Sequence, residues 1–152
     1  MDTGDLAPAF ALADQDGTVV RSDELLAKGP VVLFFYPGAM TPVCTAEACH
    51  FRDVAAELAD LNAQPVGISA DDVAKQKQFA DKHAFPFPLL SDADGAVAKA
   101  FGVARSIGLL PTKRATFVIG TDGRIVTVVR SELRPNVHAD RAIAALRAAA
   151  GR

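Results

Sequence analysis

The chain has 152 residues, half of them hydrophobic, with a formal net charge of −2, two cysteines and three histidines. That length predicts one domain, residues 1–152, with apolar material for one core. No basic block points to nucleic acid, no run of about 18 apolar residues predicts a membrane span, and two cysteines are too few for a disulfide scaffold.

The acidic start Met1-Asp2-Thr3-Gly4-Asp5 lacks a signal-peptide pattern, and the sparse cysteines fit a cytoplasmic protein. Residues 17–20 read as a short early strand after an Asp-Gly turn. Val31-Val32-Leu33-Phe34-Phe35-Tyr36 is a run of branched and aromatic side chains and reads as a buried strand. The first helix is predicted over 42–61, with Phe51, Val54, Leu58 and Leu61 on one face. Residues 65–69 form a second central strand, and Asp71 is placed to cap a helix ending near residue 82. Phe85-Pro86-Phe87-Pro88 must be extended, because a residue before proline is driven out of the helical region. A short helix over 93–101 ends near Gly102. Strands 116–119 and 125–129 flank Thr121-Asp122-Gly123-Arg124, a hairpin signal, and an Ala-rich helix over 138–149 closes the chain. The order strand-helix-strand-helix, then hairpin-helix, predicts an α/β protein with a layered sandwich.

Chemistry concentrates at Pro37-Gly38-Ala39-Met40-Thr41-Pro42-Val43-Cys44. Thr41 is a good N-cap residue and Pro42 a good first helical residue, which puts Cys44 in the first turn. Unpaired backbone N–H groups and the positive end of the helix dipole favour an anion there. A free thiol, with a pKa of about 8.5, is only about 3% thiolate at neutral pH, and helix starts increase that share. Cys49 lies five residues on. Residues five apart on an ideal helix are about 8.7 Å apart at Cα, whereas a disulfide tolerates about 7 Å. The two cysteines therefore never pair, or the first turns unwind to let them. Read alone, Glu47 is a solvated helix residue and Arg114 a surface cation beside Lys113. Two cysteines and three scattered histidines give no metal spacing.

The pattern Pro37-x-x-x-Thr41-x-x-Cys44 resembles the peroxidatic motif of the peroxiredoxins, within the alkyl hydroperoxide reductase/thiol-specific antioxidant family. With Cys49 following, it is similar to the Q-type subgroup, the bacterioferritin comigratory proteins. The resemblance runs through Ala7-Pro8-Ala9-Phe10, Glu47-Ala48-Cys49-His50-Phe51-Arg52-Asp53, Phe87-Pro88-Leu89-Leu90-Ser91-Asp92 and Arg114-Ala115-Thr116-Phe117-Val118-Ile119. It implies a thioredoxin-like fold, a central mixed β-sheet flanked by helices, with an N-terminal peroxiredoxin extension. It also implies a thiol peroxidase for hydrogen peroxide and organic hydroperoxides, without a bound cofactor, because sulfur carries both electrons. In that reading Cys44 attacks the peroxide and Thr41 hydrogen-bonds it. Pro37 covers the pocket, Arg114 stands beside the thiolate and Glu47 orients Arg114. Cys49 resolves the Cys44 sulfenic acid as an intrachain disulfide, and thioredoxin or a similar dithiol reduces it. A monomer or weak homodimer is expected. Many Q-type relatives carry a charged pair between Pro and Thr, where this chain has Gly38, Ala39 and Met40, so its pocket rim is less polar. Gly120 stands where relatives often have Asp. The competing readings are a thioredoxin-like disulfide oxidoreductase, which the four residues between the cysteines disfavour, and a non-enzymatic redox sensor.

Overall fold

The computed structural model describes residues 1–104 and 112–150. Its centre is the apolar run found in the sequence: β3, Val31–Phe35, is buried along its whole length. A strand that is apolar at every position needs cover on both faces, and alternate residues of β3 supply two separate cores. Val32 and Phe34, with Tyr36 just beyond the strand, join one cluster, while Val31, Leu33 and Phe35 join the other.

Five strands form the main sheet, in the order β5-β4-β3-β6-β7. β4 (Gln64–Ser69) pairs parallel with β3, and β5 (Leu89–Ser91) pairs parallel with β4. β6 (Ala115–Ile119) runs antiparallel to β3, and β7 (Ile125–Arg130) antiparallel to β6. The expected hairpin is present, with Gly123 at φ 81°, a left-handed conformation that glycine tolerates. A fully buried Phe34 crosses Gly67 on β4: a Cβ there would meet Leu89 Cδ2 at 2.7 Å and Phe34 Cζ at 3.0 Å.

One face of the sheet carries α2 (Pro42–Asp53), α3 (Ala55–Asp60), α4 (Val73–His83) and α6 (Asn136–Ala150), whose buried side chains share the first cluster. Phe51 of α2 stacks on Phe34 with ring centroids 4.2 Å apart. The other face carries α1 (Ser22–Lys28) and α5 (Ala96–Ala100), with Leu25, Ala98 and Phe101 in the second cluster. Near the N-terminus, β1 (Ala11–Ala13) and β2 (Val19–Arg21) make a separate antiparallel pair. This is the mixed sheet flanked by helices, with an N-terminal addition, that the resemblance implies.

Three expectations need correction. The helix predicted over 42–61 is interrupted at Val54, whose ψ of 14° leaves the helical range, so α2 and α3 are separate. Val54 is a branched residue packed against the core, a side chain that the helical backbone holds less well. The cap of α4 is Asp72, whose carboxylate accepts from Lys75 N at 2.8 Å; Asp71 turns away to other partners. The helix expected from residue 93 begins at Ala96, and Asp92 satisfies its first turn by accepting from Val97 N and Ala98 N. β1 and α1 were not predicted at all. Among the described residues, no helix is long and apolar enough to cross a membrane.

Candidate active site

Thr41 occupies the N-cap position of α2 with extended backbone (φ −77°, ψ 152°), and Pro42 follows as N1. Cys44 is then at N3, the position read from the sequence. The cap itself differs from the expectation. Thr41 Oγ1 does not bond the helix N–H groups but donates to the Gly38 carbonyl at 2.7 Å. That bond fastens the end of the loop from Pro37 to Thr41. Ala39 N donates to Asp71 Oδ2 at 2.7 Å, and Ser69 Oγ donates to the same oxygen at 2.6 Å. The carboxylate thus holds the turn against the end of β4, while Met40 takes a left-handed φ of 70°. Tyr36, whose phenol burial drives up beyond ordinary titration, donates to Gln76 Oε1 at 2.5 Å and is core.

Arg114 precedes β6 and is 4% exposed. Its fork reaches three groups. Nη2 donates to Cys44 Sγ at 3.1 Å, Nη1 to Glu47 Oε1 at 2.6 Å, and Nε to the Glu132 carbonyl at 3.1 Å. The Glu132 carboxylate also accepts from Arg114 N at 3.1 Å. Neither Arg114 nor Glu47 is the surface residue that the sequence alone suggests; Glu47 is fully buried. A buried cation is retained where opposite charge and hydrogen bonds surround it, and the Glu47 and Cys44 side chains hold Arg114 protonated against burial. Burial pushes the Glu47 carboxyl up to about 8, against the pull of Arg114.

Cys44 is buried, Cys49 is half-buried, and both are free. They lie on the same unbroken helix, so the separation inferred from ideal geometry applies. Above Cys44 is an open cavity of about 320 Å³ that Pro37, Thr41 and Arg114 also line. Pro42, Val43, Glu132 and Leu133 complete it. A larger groove, about 530 Å³, lies between the β1–β2 pair and Phe85–Pro88 and holds neither cysteine. The structure therefore brings together Pro37, Thr41, Cys44, Glu47 and Arg114, and leaves Cys49 further along α2. The sequence reading missed Asp71 as the loop's anchor, Glu132 as a partner of Arg114, and His138, which lies 3.5 Å from Glu47 Oε2 through Nδ1. None has a local signal, because each acts through a contact distant in the chain.

Comparison with known proteins places the chain in a family. The AhpC/TSA family model matches residues 3–128. A peroxiredoxin of Mycobacterium tuberculosis is 56% identical over 150 residues, covering 97% of both chains. A chloroplastic peroxiredoxin Q of Triticum aestivum is 41% identical over 136 residues, covering 89% of this chain and 62% of its own. Among solved structures, a peroxidoxin of Mycobacterium tuberculosis superposes with a TM-score of 0.94 at 56% identity, covering 97% of each chain. A Xanthomonas campestris bacterioferritin comigratory protein, studied for its alkyl peroxide reduction activity, superposes at 0.84 with 32% identity, covering 93% of this chain and 92% of its own. The chain belongs to the AhpC/TSA family, among the peroxiredoxins of the Q type.

Proposed function

We propose that the chain is a thiol peroxidase in which Cys44 is the nucleophile and Cys49 the resolving thiol. The observation that carries this reading is the 3.1 Å bond from Arg114 Nη2 to Cys44 Sγ at the third position of a helix, beneath an open cavity. A guanidinium donor and a helix start both suit negative charge that develops beside them. The thiolate attacks one oxygen of the hydroperoxide; the O–O bond breaks, Cys44 becomes a sulfenic acid, and the alkoxide leaves after taking a proton. Arg114 is placed to donate to the oxygen on which charge develops. Thr41 has its one proton on the Gly38 carbonyl, so its oxygen is free to accept from the peroxide O–H. Pro37 covers the cavity and limits water. Glu47 and Glu132 fix the guanidinium in place.

Cys49 then attacks the sulfenic sulfur, expelling water and closing the Cys44–Cys49 disulfide. This step requires the first turns of α2 to unwind. An external dithiol of the thioredoxin type restores both thiols by exchange, and no cofactor enters. The protein acts as a single domain, a monomer or weak homodimer, in a cytoplasmic setting. Val43, Pro42 and the exposed Leu133 give the cavity an apolar side, which suits organic hydroperoxides as well as hydrogen peroxide. Comparing turnover of cumene hydroperoxide with that of hydrogen peroxide checks this; a strong preference for hydrogen peroxide contradicts it. Single-turnover oxidation of the cysteine variants tests the assignment itself. Cys44→Ser abolishes turnover, and Cys49→Ser retains the first oxidation but forms no intrachain disulfide. Fast oxidation surviving in Cys44→Ser refutes the reading.

A further inference from the structure

Glu47 has one satisfied carboxylate oxygen and one that is not. Oε1 accepts from Arg114 at 2.6 Å, while Oε2 is buried and has no hydrogen-bond partner among the described residues. What Oε2 faces is Nδ1 of His138, in the first turn of α6, at 3.5 Å; both side chains are fully buried. The imidazole is held firmly. Nε2 is 2.8 Å from the Ser131 carbonyl, and Nδ1 is 2.8 Å from the Thr116 hydroxyl on β6. A carbonyl only accepts, so Nε2 carries its hydrogen in every state, and Nδ1 is the atom that gains or loses a proton. The Thr116 hydroxyl donates to a bare Nδ1 and accepts from a protonated one, so it fits both states.

The charges around this pair come from four directions: Cys44 on α2, Arg114 before β6, Glu132 after β7, and Arg141 on α6. Burial raises Glu47, assisted by Glu132 and opposed by Arg114. Burial lowers His138, assisted by Arg114 and Arg141 and opposed by Ser131 and Glu132. Suppose Cys44 is the thiolate, Glu47 is ionised and His138 is neutral. Arg114 then faces two buried anions at once, an arrangement that burial penalises. One proton on Oε2 or Nδ1 removes the excess.

We infer that Glu47 and His138 share one buried proton, which neutralises the carboxylate and leaves the charge of Arg114 to the Cys44 thiolate. This rests on Cys44 being the reacting thiol. His138 is a positioning residue, acting through Glu47 and Arg114 and not touching the peroxide. The proton count is consistent with the chemistry. When the thiolate becomes a neutral sulfenic acid, its charge leaves on the alkoxide; the alkoxide takes up one proton, and the cluster gives up one as Glu47 pairs with Arg114.

The test is the pH dependence of single-turnover oxidation of the full chain by hydrogen peroxide, with circular dichroism and thermal unfolding recorded for each variant. His138→Gln keeps an N–H for the Ser131 carbonyl and loses Nδ1. Its acid limb moves to higher pH by about one unit, a tenfold loss of rate on the acid side. His138→Asn, with an amide oxygen near the Nδ1 position, recovers most of that loss. Glu47→Gln is neutral without a borrowed proton, so it moves the acid limb the other way, and adding His138→Gln to it produces no further shift. A His138→Gln profile that superposes on the wild type, or a shift of equal size in the Glu47→Gln background, overturns the inference. If the His138 variants fail to fold, Glu47→Gln alone decides: an acid limb moved to higher pH overturns it. Wild-type oxidation at the rate of free cysteine is a separate outcome, which overturns the peroxidase reading on which this rests.

Discussion

Arg114 is one side chain serving three partners, and its geometry decides what replaces it. A planar fork reaches Cys44 Sγ, Glu47 Oε1 and the Glu132 carbonyl together. Lysine keeps the charge but has a single ammonium on a flexible stem, so it cannot span all three. Arg114→Lys is therefore expected to slow Cys44 oxidation, and Arg114→Ala to slow it by about 10²–10³, the loss typical of a removed transition-state donor. Stopped-flow oxidation by hydrogen peroxide reads both. Glu47 makes a second residue-scale prediction, on stability. Its folded carboxyl is raised from 4.5 to about 8, so the folded chain holds this proton more tightly than the unfolded chain. Its contribution is complete below about pH 4.5 and is lost as pH rises towards 8. His138 is shifted down, so its contribution has the opposite sign: it is present above about 6.5 and lost as pH falls through its folded value. Between pH 6.5 and 8 the Glu47 contribution falls without that opposition. Glu47→Gln should flatten the decline of urea-unfolding stability across this window, and an undiminished decline contradicts the assignment.

These residues also show where the sequence is silent. The positions of Thr41, Pro42 and Cys44 at the helix start are legible because helix-start preferences act within a few residues, although the Thr41 hydroxyl bonds Gly38 and not the helix. Glu47 and Arg114 are legible only through the family pattern: their hydrogen bond joins residues 67 apart in the chain, and nothing local tells a buried glutamate from a solvated one. Asp71 looks like a helix cap and is a loop anchor, because its neighbour Asp72 takes the cap.

At the scale of elements, the proposed Cys44–Cys49 disulfide requires α2 to move. Ala46 is exposed, but Ala48 is fully buried and Glu47 is tied to Arg114, so the first turns are held more firmly than their small side chains suggest. Further along, Phe51 stacks on Phe34, Arg52 Nη1 donates to the His83 carbonyl at 2.8 Å, and His50 Nε2 lies 2.7 Å from Asp140 Oδ1 on α6. The last contact sits directly beside Cys49, the thiol proposed to resolve. An exposed pair of this kind is worth about 0.2–1 kcal/mol. His50→Ala should therefore speed closure of the disulfide after the first oxidation, by up to about fivefold, without altering the rate of that first oxidation. Quenched-flow alkylation with mass readout separates the two steps; slower closure would show that the contact guides Cys49 rather than restrains it.

For the whole molecule, the two-sided sheet positions the site. β3 delivers the loop that carries Pro37 and Thr41, β6 follows Arg114 and pairs with β3, and α6 packs over α2 from the same face. The buried run of β3, the β6–β7 hairpin and α6 were readable because continuous apolar stretches and turn chemistry leave strong local marks. β1 and α1 were not. β1 has three residues with no alternation, and α1 has seven residues, with Arg21 at the N-cap making no side-chain bond to it. Gly67 is a point where sheet and site meet, since Phe34 crosses it and stacks on Phe51 of α2. Gly67→Ala should destabilise the fold by about 1–3 kcal/mol through overpacking, measurable by urea unfolding. An unaffected midpoint would mean that Phe34 and Leu89 have room to retreat.

The central claim is that Cys44 is an activated thiol resolved by Cys49. It is tested most directly by titrating the fully reduced protein with one equivalent of hydrogen peroxide, reading intact mass and free thiols over time. Loss of both thiols is expected, with a mass lower by about 2 Da for the two hydrogens removed and a rate far above that of free cysteine. Oxidation no faster than free cysteine would contradict it, and so would rapid oxidation that leaves Cys49 reduced and adds oxygen to the chain.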